Sequence, residues 1–406
     1  MSDVTDVRRT GFFVLAACLL AAAAWLAGPR PAAPEALADR GQPFFPDFTD
    51  PNRAASLEVV EFDEQTSVAR PFKVMNREGR WTIPSHQSYP ADGANRLSSI
   101  AAAVIALKKD DVAGDNVTDH ERCGVLDPLD ETLPTPRGRG TRITVRGTND
   151  VLLADIITGR AVEGRPHLRY VRLPGQRRVY VAQLENLQVS TRFEDWIERN
   201  LLQVDRNALD QIAIRNYTAN AKTGQVTQRE AMLLRRRAED VWDAEGARPG
   251  ETIDTFTMNL LVTKLVELSI VDVRAKPPGV TATLSQAGGV RLSAADVSEL
   301  SSRGFYFTSD GRLLSNQGEV LVHTDTGVFY ALRFGELAPG ATPENRYLFI
   351  SVGFDPGATG GVMPPEVRAH LEVLQARFAP WYYVISDDSF RKIRVERRAL
   401  IKPARP

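Results

Sequence analysis

The chain predicts an α+β fold: two tandem, similarly built antiparallel-sheet-plus-helix domains behind one N-terminal transmembrane helix. Three observations carry this. An uncharged run occupies residues 11–28. Beyond it, short alternating or β-branched segments are bounded by Gly, Asn and Asp, the mark of antiparallel strands joined by tight turns. The same order of segments then recurs about 160 to 180 residues later.

The run Gly11 to Gly28 reads GFFVLAACLLAAAAWLAG, eighteen positions without a charge, directly behind Arg8 and Arg9. At 1.5 Å per residue a helix of that length covers about 27 Å, against a hydrocarbon core of roughly 30 Å. The basic pair on the N-terminal flank keeps residues 1–10 cytoplasmic as a stub and sends the bulk of the chain outward. Ala22-Ala23-Ala24 and Ala36-Leu37-Ala38 both satisfy the small-x-small rule for a cleaved signal peptide. The first lies inside the apolar run and the second well beyond it, so a retained anchor is the preferred reading. Leu15-Ala16-Ala17-Cys18 also matches a bacterial lipobox, which would acylate Cys18. The apolar run continues for ten residues past that Cys, whereas a lipoprotein turns polar there.

Residues 29–55 carry six prolines and no periodicity, as an extended tether would. The remaining length exceeds one ordinary core, which makes two domains the default. Charged residues at 25% and hydrophobic ones at 43% are a globular balance. A formal net charge of −1, without a basic block, argues against nucleic acid as a partner. Of two Cys, Cys18 belongs to the anchor, leaving Cys123 as a lone thiol with no intrachain disulfide partner.

The first domain is placed at 56–205. Leu57 to Phe62 reads as a strand, and Arg70 to Ile83 as a hairpin turning at Arg77-Glu78-Gly79. Asp92 is positioned to cap a helix running to Lys109, because Leu97, Ile100, Ala101, Val104 and Ile105 recur at helical spacing. Four strands follow, at Thr141 to Val145, Val151 to Ile157, His167 to Leu173 and Arg178 to Gln183.

The second domain, 206–356, repeats this order. Leu209 to Ile214 stands for Leu57 to Phe62. The helix Thr252 to Ile270 stands for Asp92 to Lys109. Arg312 to Leu314, Val320 to His323, Val328 to Phe334 and Arg346 to Val352 stand for the second run of strands. Local matches support the alignment: Ile156-Ile157-Thr158-Gly159 beside Leu332-Arg333-Phe334-Gly335, and Arg169-Tyr170-Val171 beside Arg346-Tyr347-Leu348. The alignment also decides Gln228 to Ala244. Alone it would pass as a charged amphipathic helix, but set against Phe72 to Trp81 it becomes a hairpin turning at Arg237 to Asp240. A final piece, 357–406, is expected as an appendix, with a helix from Pro364-Pro365 to Phe378 and a strand at Trp381 to Ile385.

Glu78-Gly79-Arg80-Trp81-Thr82-Ile83, Tyr89-Pro90-Ala91-Asp92 and Gly124-Val125-Leu126-Asp127-Pro128 together resemble the bacterial family catalogued as domain of unknown function 4340. Arg177-Arg178-Val179-Tyr180, Phe193-Glu194-Asp195-Trp196 (expected as a helix) and the Phe378 to Ile385 segment are similar to it as well. The resemblance spans roughly residues 57 to 400. It implies a single-pass inner-membrane protein, with its bulk outside the cytoplasm, working beside ABC-type export systems, including those tied to gliding motility. It carries over no catalytic residues.

The candidate constellations are sparse. Five His occur, at 86, 120, 167, 323 and 370, and no Ser sits in a G-x-S-x-G elbow, so a triad would have to assemble from distant residues. His120 and Cys123 have a metal-like spacing but lack a second pair, which leaves a solvated loop with one thiol as the plainer reading. Gly357 to Gly361 lacks the Lys-Ser/Thr of a phosphate loop. Asp387-Asp388 and Glu194-Asp195 read as caps or turns, and Arg235-Arg236-Arg237 as a solvated turn. Trp381, Tyr382 and Tyr383 are the weak ligand or partner candidates, since aromatic faces stack on sugars or peptides. No catalytic, cofactor or metal set emerges.

The expected function is therefore non-enzymatic: a membrane-anchored interaction or scaffold subunit of an envelope assembly, touching the lipid bilayer through residues 11–28 and protein partners such as ABC-transporter permease subunits. A periplasmic glycan- or peptide-binding module is the first alternative. A hydrolase with a non-local active site is the second.

Overall fold

Alternating strands in the first half pair into a nine-stranded antiparallel sheet. They are β1 (Ser56–Asp63), β2 (Val68–Arg77), β3 (Arg80–Ile83), β4 (Tyr89–Pro90), β5 (Asp111–Gly114), β6 (Thr141–Arg146), β7 (Leu152–Val162), β8 (Arg165–Arg172) and β9 (Val179–Gln183). Their order across the sheet is β4-β3-β2-β1-β6-β7-β8-β9-β5. The second half supplies β10 (Leu209–Ala219), β11 (Val226–Ala238), β12 (Val241–Ala244), β13 (Glu251–Ile253), β14 (Asp272–Ala275), β15 (Phe305–Phe307), β16 (Leu313–Ser315), β17 (Glu319–Thr324), β18 (Val328–Ala338), β19 (Asn345–Phe354), β20 (Trp381–Ser386) and β21 (Ile401–Pro403). Eight of these form a sheet ordered β12-β11-β10-β17-β18-β19-β20-β14, while β13 pairs with β21 and β15 with β16. The helices are α1 (Ala94–Ala106), α2 (Thr118–Cys123), α3 (Thr255–Val266), α4 (Pro278–Ser285), α5 (Ala294–Ser302), α6 (Pro365–Phe378), α7 (Asp387–Ile393) and α8 (Arg397–Leu400). This computed structural model describes residues 39–403 apart from 185–186, 188, 220–224, 286–291, 309–310 and 340–343, together with Ala17.

The α+β expectation with antiparallel sheets holds. Setting β4 aside, the two sheets run in one strand order, and their registers agree as well. Val59 faces Ile143 as Ile214 faces Val320, which sets Leu57 against Ile212 and moves the expected match to Leu209 by three residues, and Tyr180 faces Val171 as Tyr383 faces Leu348. The ladder slips between Thr158 and Ala161 in β7, and at the corresponding place between Phe334 and Leu337 in β18. Gln228 to Ala244 is the hairpin that the alignment favoured, turning at Glu239-Asp240, with Asp240 in the left-handed region.

Several local expectations are corrected. Trp381–Ser386 is no appendix: β20 lies between β19 and β14 inside the second sheet, in the place β9 holds in the first. Arg312 to Leu314 falls partly in β16, outside that sheet. The tether expectation fails at its described end, because Phe44 and Phe48 are buried in the core and Asp39 accepts a hydrogen bond from Tyr180 Oη at 3.0 Å. Aromatic residues between prolines are dock points, and they outweigh the linker-like composition. Asp92 does not cap α1; Gly93 holds that position without a side-chain bond, whereas Asp254 does cap α3 through Thr257 N–H at 2.9 Å. The segment at Phe193–Asp195 is a short 3₁₀ turn. Asp387-Asp388, read as a cap or a turn, opens α7, with Ser386 as its capping residue.

One continuous apolar cluster runs through both sheets, so neither half closes a core of its own. The β4 end of the first sheet meets the β14 edge of the second. There Tyr89 packs edge-on against Trp381 at 5.1 Å, and Ala275 N–H donates to Gln87 Oε1 at 2.5 Å. Among the described residues no helix is long and apolar enough to cross a membrane. The expected anchor and Cys18 lie outside the described residues.

Candidate functional site

On one face of the first sheet, four adjacent strands turn from apolar to polar at the same end. β1 runs Leu57, Val59, Glu61; β6 runs Val145, Ile143, Thr141; β7 runs Ala154, Ile156, Thr158; β8 runs Val171, Arg169, His167. The inner members of each series are buried in the core, and residues two apart on a strand share a face. The polar ends line an open pocket of about 640 Å³, walled on its other side by Leu184, Leu187 and Val189.

The groups in this pocket are already partly engaged. Glu61 accepts a hydrogen bond from Thr191 Oγ1 at 2.8 Å, and Thr158 Oγ1 donates to Thr141 O at 3.3 Å. Arg169 is exposed and donates one guanidinium N–H to Gly159 O at 3.2 Å. Among the described residues no carboxylate lies within ion-pairing distance of it. The pocket thus offers a positive fork and an imidazole beside aliphatic side chains. That chemistry recognises an anion attached to something apolar.

The corresponding end of the second sheet is plugged. Arg346, the counterpart of Arg169, donates to Gly335 O at 2.8 Å and pairs with Asp387 at 3.2 Å. Its guanidinium lies 4.3 Å from the centre of the Phe390 ring, which packs edge-on against Phe334 at 5.1 Å. Both Asp387 and Phe390 belong to α7.

The sequence-derived candidates settle differently. Tyr382 and Tyr383 are fully buried, and Trp381 is half-buried against Tyr89. The two tyrosines are core, with no free ring face for a ligand. Cys123 is buried at the end of α2, and His120 is buried with Nε2 2.8 Å from Arg177 O, which replaces the expected solvated loop. Burial raises the Cys123 thiol pKa and makes the thiol less reactive. The described residues hold no cluster of three or more His, Cys, Asp or Glu suited to a metal. Arg235 and Arg237 sit on β11 rather than in a turn, and pair with Glu245 and Asp243. Gly357 to Thr359 lie within a 3₁₀ turn, Pro356–Thr359, that Asp355 caps through Gly357 N–H at 2.9 Å and that Gly360 ends in the left-handed region. Glu194 pairs with Arg192, and Asp195 accepts from Ser190 at 2.7 Å.

The histidines are dispersed. His370 is exposed on α6, and His323 stacks on Phe329 at 5.3 Å beside Asp355. His86 lies flat on Phe193 at 4.3 Å, with Nδ1 3.0 Å from Ser85 Oγ and Nε2 3.9 Å from Asp272. That Ser-His-Asp line sits on the seam between the sheets, away from the pocket. His167 alone of the five is in the pocket described above, with no Ser or Cys among the lining residues. Sequence reasoning missed Arg169 as a site residue. The signal that could have found it was the repeated Arg-Tyr-aliphatic triplet, one copy of which later acquires a carboxylate neighbour.

A family model described as Domain of unknown function (DUF4340) matches residues 81–287, about half of the chain. No curated protein and no solved structure matches it.

Proposed function

This chain belongs to the DUF4340 family, and we propose that it is a non-enzymatic interaction protein, an accessory subunit of a bacterial envelope assembly such as an ABC-type export system. In this reading residues 11–28 anchor it in the inner membrane with the N-terminus cytoplasmic, and the remainder works outside. Two copies of one α+β unit, fused through a shared core, form a rigid platform for partners. The matching strand order and registers support that duplication.

The observation that carries the reading is the contrast at the two equivalent sheet ends: one arginine is satisfied inside the chain, the other faces an open pocket. A group kept accessible on a rigid sheet suits recognition of a partner. The same pocket also favours a second reading, a peptide-binding module whose ligand is free rather than part of an assembly.

Extraction of the full chain from membranes in mild detergent, followed by identification of co-purifying proteins, tests the main reading. A reproducible envelope partner is expected. Recovery of the chain alone under several detergents would overturn it. A C-terminal tag reached only from the cytoplasmic side would remove the envelope placement.

A further inference from the structure

The shared register assigns positions across the two halves residue by residue. Thr158 corresponds to Phe334, Gly159 to Gly335, Arg169 to Arg346 and His167 to Glu344. It extends past the last strand, because Tyr180 corresponds to Tyr383 and so Leu184 to Asp387. The main chain agrees. Leu184 N–H donates to His167 O at 3.4 Å, and Asp387 N–H donates to Glu344 O at 3.1 Å.

Both arginines are held alike, each with one N–H on the carbonyl of its equivalent glycine. The rest of the Arg346 fork takes the Asp387 carboxylate. In the first half a leucine stands where that carboxylate would be, and among the described residues no carboxylate pairs with the Arg169 fork, which lines the pocket. Several neighbours have changed in the same sense, whereas Glu61, which stands where the second half has Asn216, has not, and its carboxylate accepts from Thr191 Oγ1. His167 replaces an acidic residue, Thr158 replaces a space-filling Phe, and Ile143, Leu184 and Leu187 supply an apolar wall. A charged group that can reach solvent is cheap to leave unpaired, and it attracts an anion arriving from outside.

We propose that the pocket beside Arg169 is a docking site for an acidic segment of a partner protein, whose Asp or Glu side chain supplies to Arg169 the carboxylate that Asp387 supplies to Arg346, with an adjacent apolar residue against Leu184 and Leu187. The occupant is a peptide because the second half displays the same arginine taking a peptide carboxylate. The inference rests on the interaction reading above and names the chemistry of its partner.

The probe is a labelled peptide with the sequence of residues Ser386–Ile393, compared with its Asp387→Asn, Asp388→Asn form, on the full chain in detergent. Saturable binding by fluorescence anisotropy is expected, weakened roughly tenfold by the Asn peptide or by Arg169→Ala, as for loss of one charge-assisted pair. Leu184→Asp should restore the pairing within the chain and block the peptide, while Arg169→Ala, at an exposed position, leaves the melting temperature unchanged. No saturation at millimolar peptide, or binding indifferent to Arg169, overturns the proposal. The two ideas fail separately: a partner that co-purifies equally with wild type and Arg169→Ala keeps the interaction function and removes this site. Arg169-dependent peptide binding without any co-purifying partner keeps the site and removes the assembly role.

Discussion

The two sheets share order, register and even the position of a bulge, yet they end differently. In the second, the residues after β20 fold at once into α7, which brings Asp387 and Phe390 down over Arg346 and Phe334. In the first, the described residues after β9 bring Leu184, Leu187 and Val189 to the pocket wall, and none of them offers Arg169 a carboxylate. The lesson is physical: one backbone frame serves as sealed core or as open surface, depending on whether the chain itself supplies the neutralising carboxylate. A buried guanidinium must have a partner, whereas an exposed one need not.

The strongest way to break the comparison is through the tyrosines that occupy equivalent places in β9 and β20. Tyr383 packs against Phe378 at 5.9 Å and Tyr89 at 6.5 Å across the seam, and Tyr180 packs against Phe44 at 5.4 Å. Tyr383→Ala should cost about 3–5 kcal/mol, the usual range for deleting a fully buried ring, and Tyr180→Ala somewhat less, because its hydroxyl reaches the partly exposed Asp39. Urea titration followed by both fluorescence and circular dichroism would measure this. Each variant should unfold in a single transition, as a continuous core demands. Two separate transitions, with only one half lost early, would show that the halves are independent after all.

The arginines sharpen it next. Arg346 and Asp387 are largely buried, with side chains 12% and 10% exposed, so Arg346→Ala strands a carboxylate that Arg391 still partly satisfies at 2.7 Å. The expected cost is roughly 2–3 kcal/mol, at or just below the bottom of the range of about 3–5 kcal/mol for breaking a buried pair, because Arg391 remains. Arg169→Ala should change stability by no more than about 0.5 kcal/mol, as at ordinary surface positions. Equal costs for the two would mean that Arg169 already has a structural partner and would close the pocket as a binding site.

Much of this architecture was legible in the residues. Period-two alternation marked the strands, and the internal alignment turned a segment with helical character, Gln228 to Ala244, into a hairpin. The triplets at Arg169 and Arg346 were matched in the right register. What could not be read was what covers each face. Tyr382 and Tyr383 point to opposite sides of β20, so alternation predicts one of them exposed. Both are buried, because Tyr382 meets Phe305 and Phe349 on one face while Tyr383 meets the main core on the other. Likewise, the pocket lies where, among the described residues, no element covers the sheet end as α7 does in the second half. No local pattern announces that; it becomes visible only when two equivalent ends are set side by side.

The smallest effect expected concerns one histidine from each half. Burial holds both His86 and His323 below their ordinary value of 6.5. For His86, Asp272 opposes that shift and Arg274 reinforces it; for His323, Asp355 and Asp210 oppose and Arg215 reinforces. Each group therefore binds a proton more readily in the unfolded chain. Stability is full above pH 6.5 and falls as the pH drops through that value toward the lower folded pKa. The depressed carboxylates, such as Asp63 and Asp195, lose their contribution only at lower pH, below their ordinary 3.8, so the interval from pH 7.5 to 5.5 isolates the histidines. Melting temperature should decline modestly over that interval. His86→Gln and His323→Gln should each remove part of the decline, and the double substitution most of it. A decline that survives both substitutions unchanged would assign the proton uptake elsewhere. If His86→Gln alone abolished it, the seam between the sheets, where His86 faces Asp272, would be the part of the molecule most sensitive to acid.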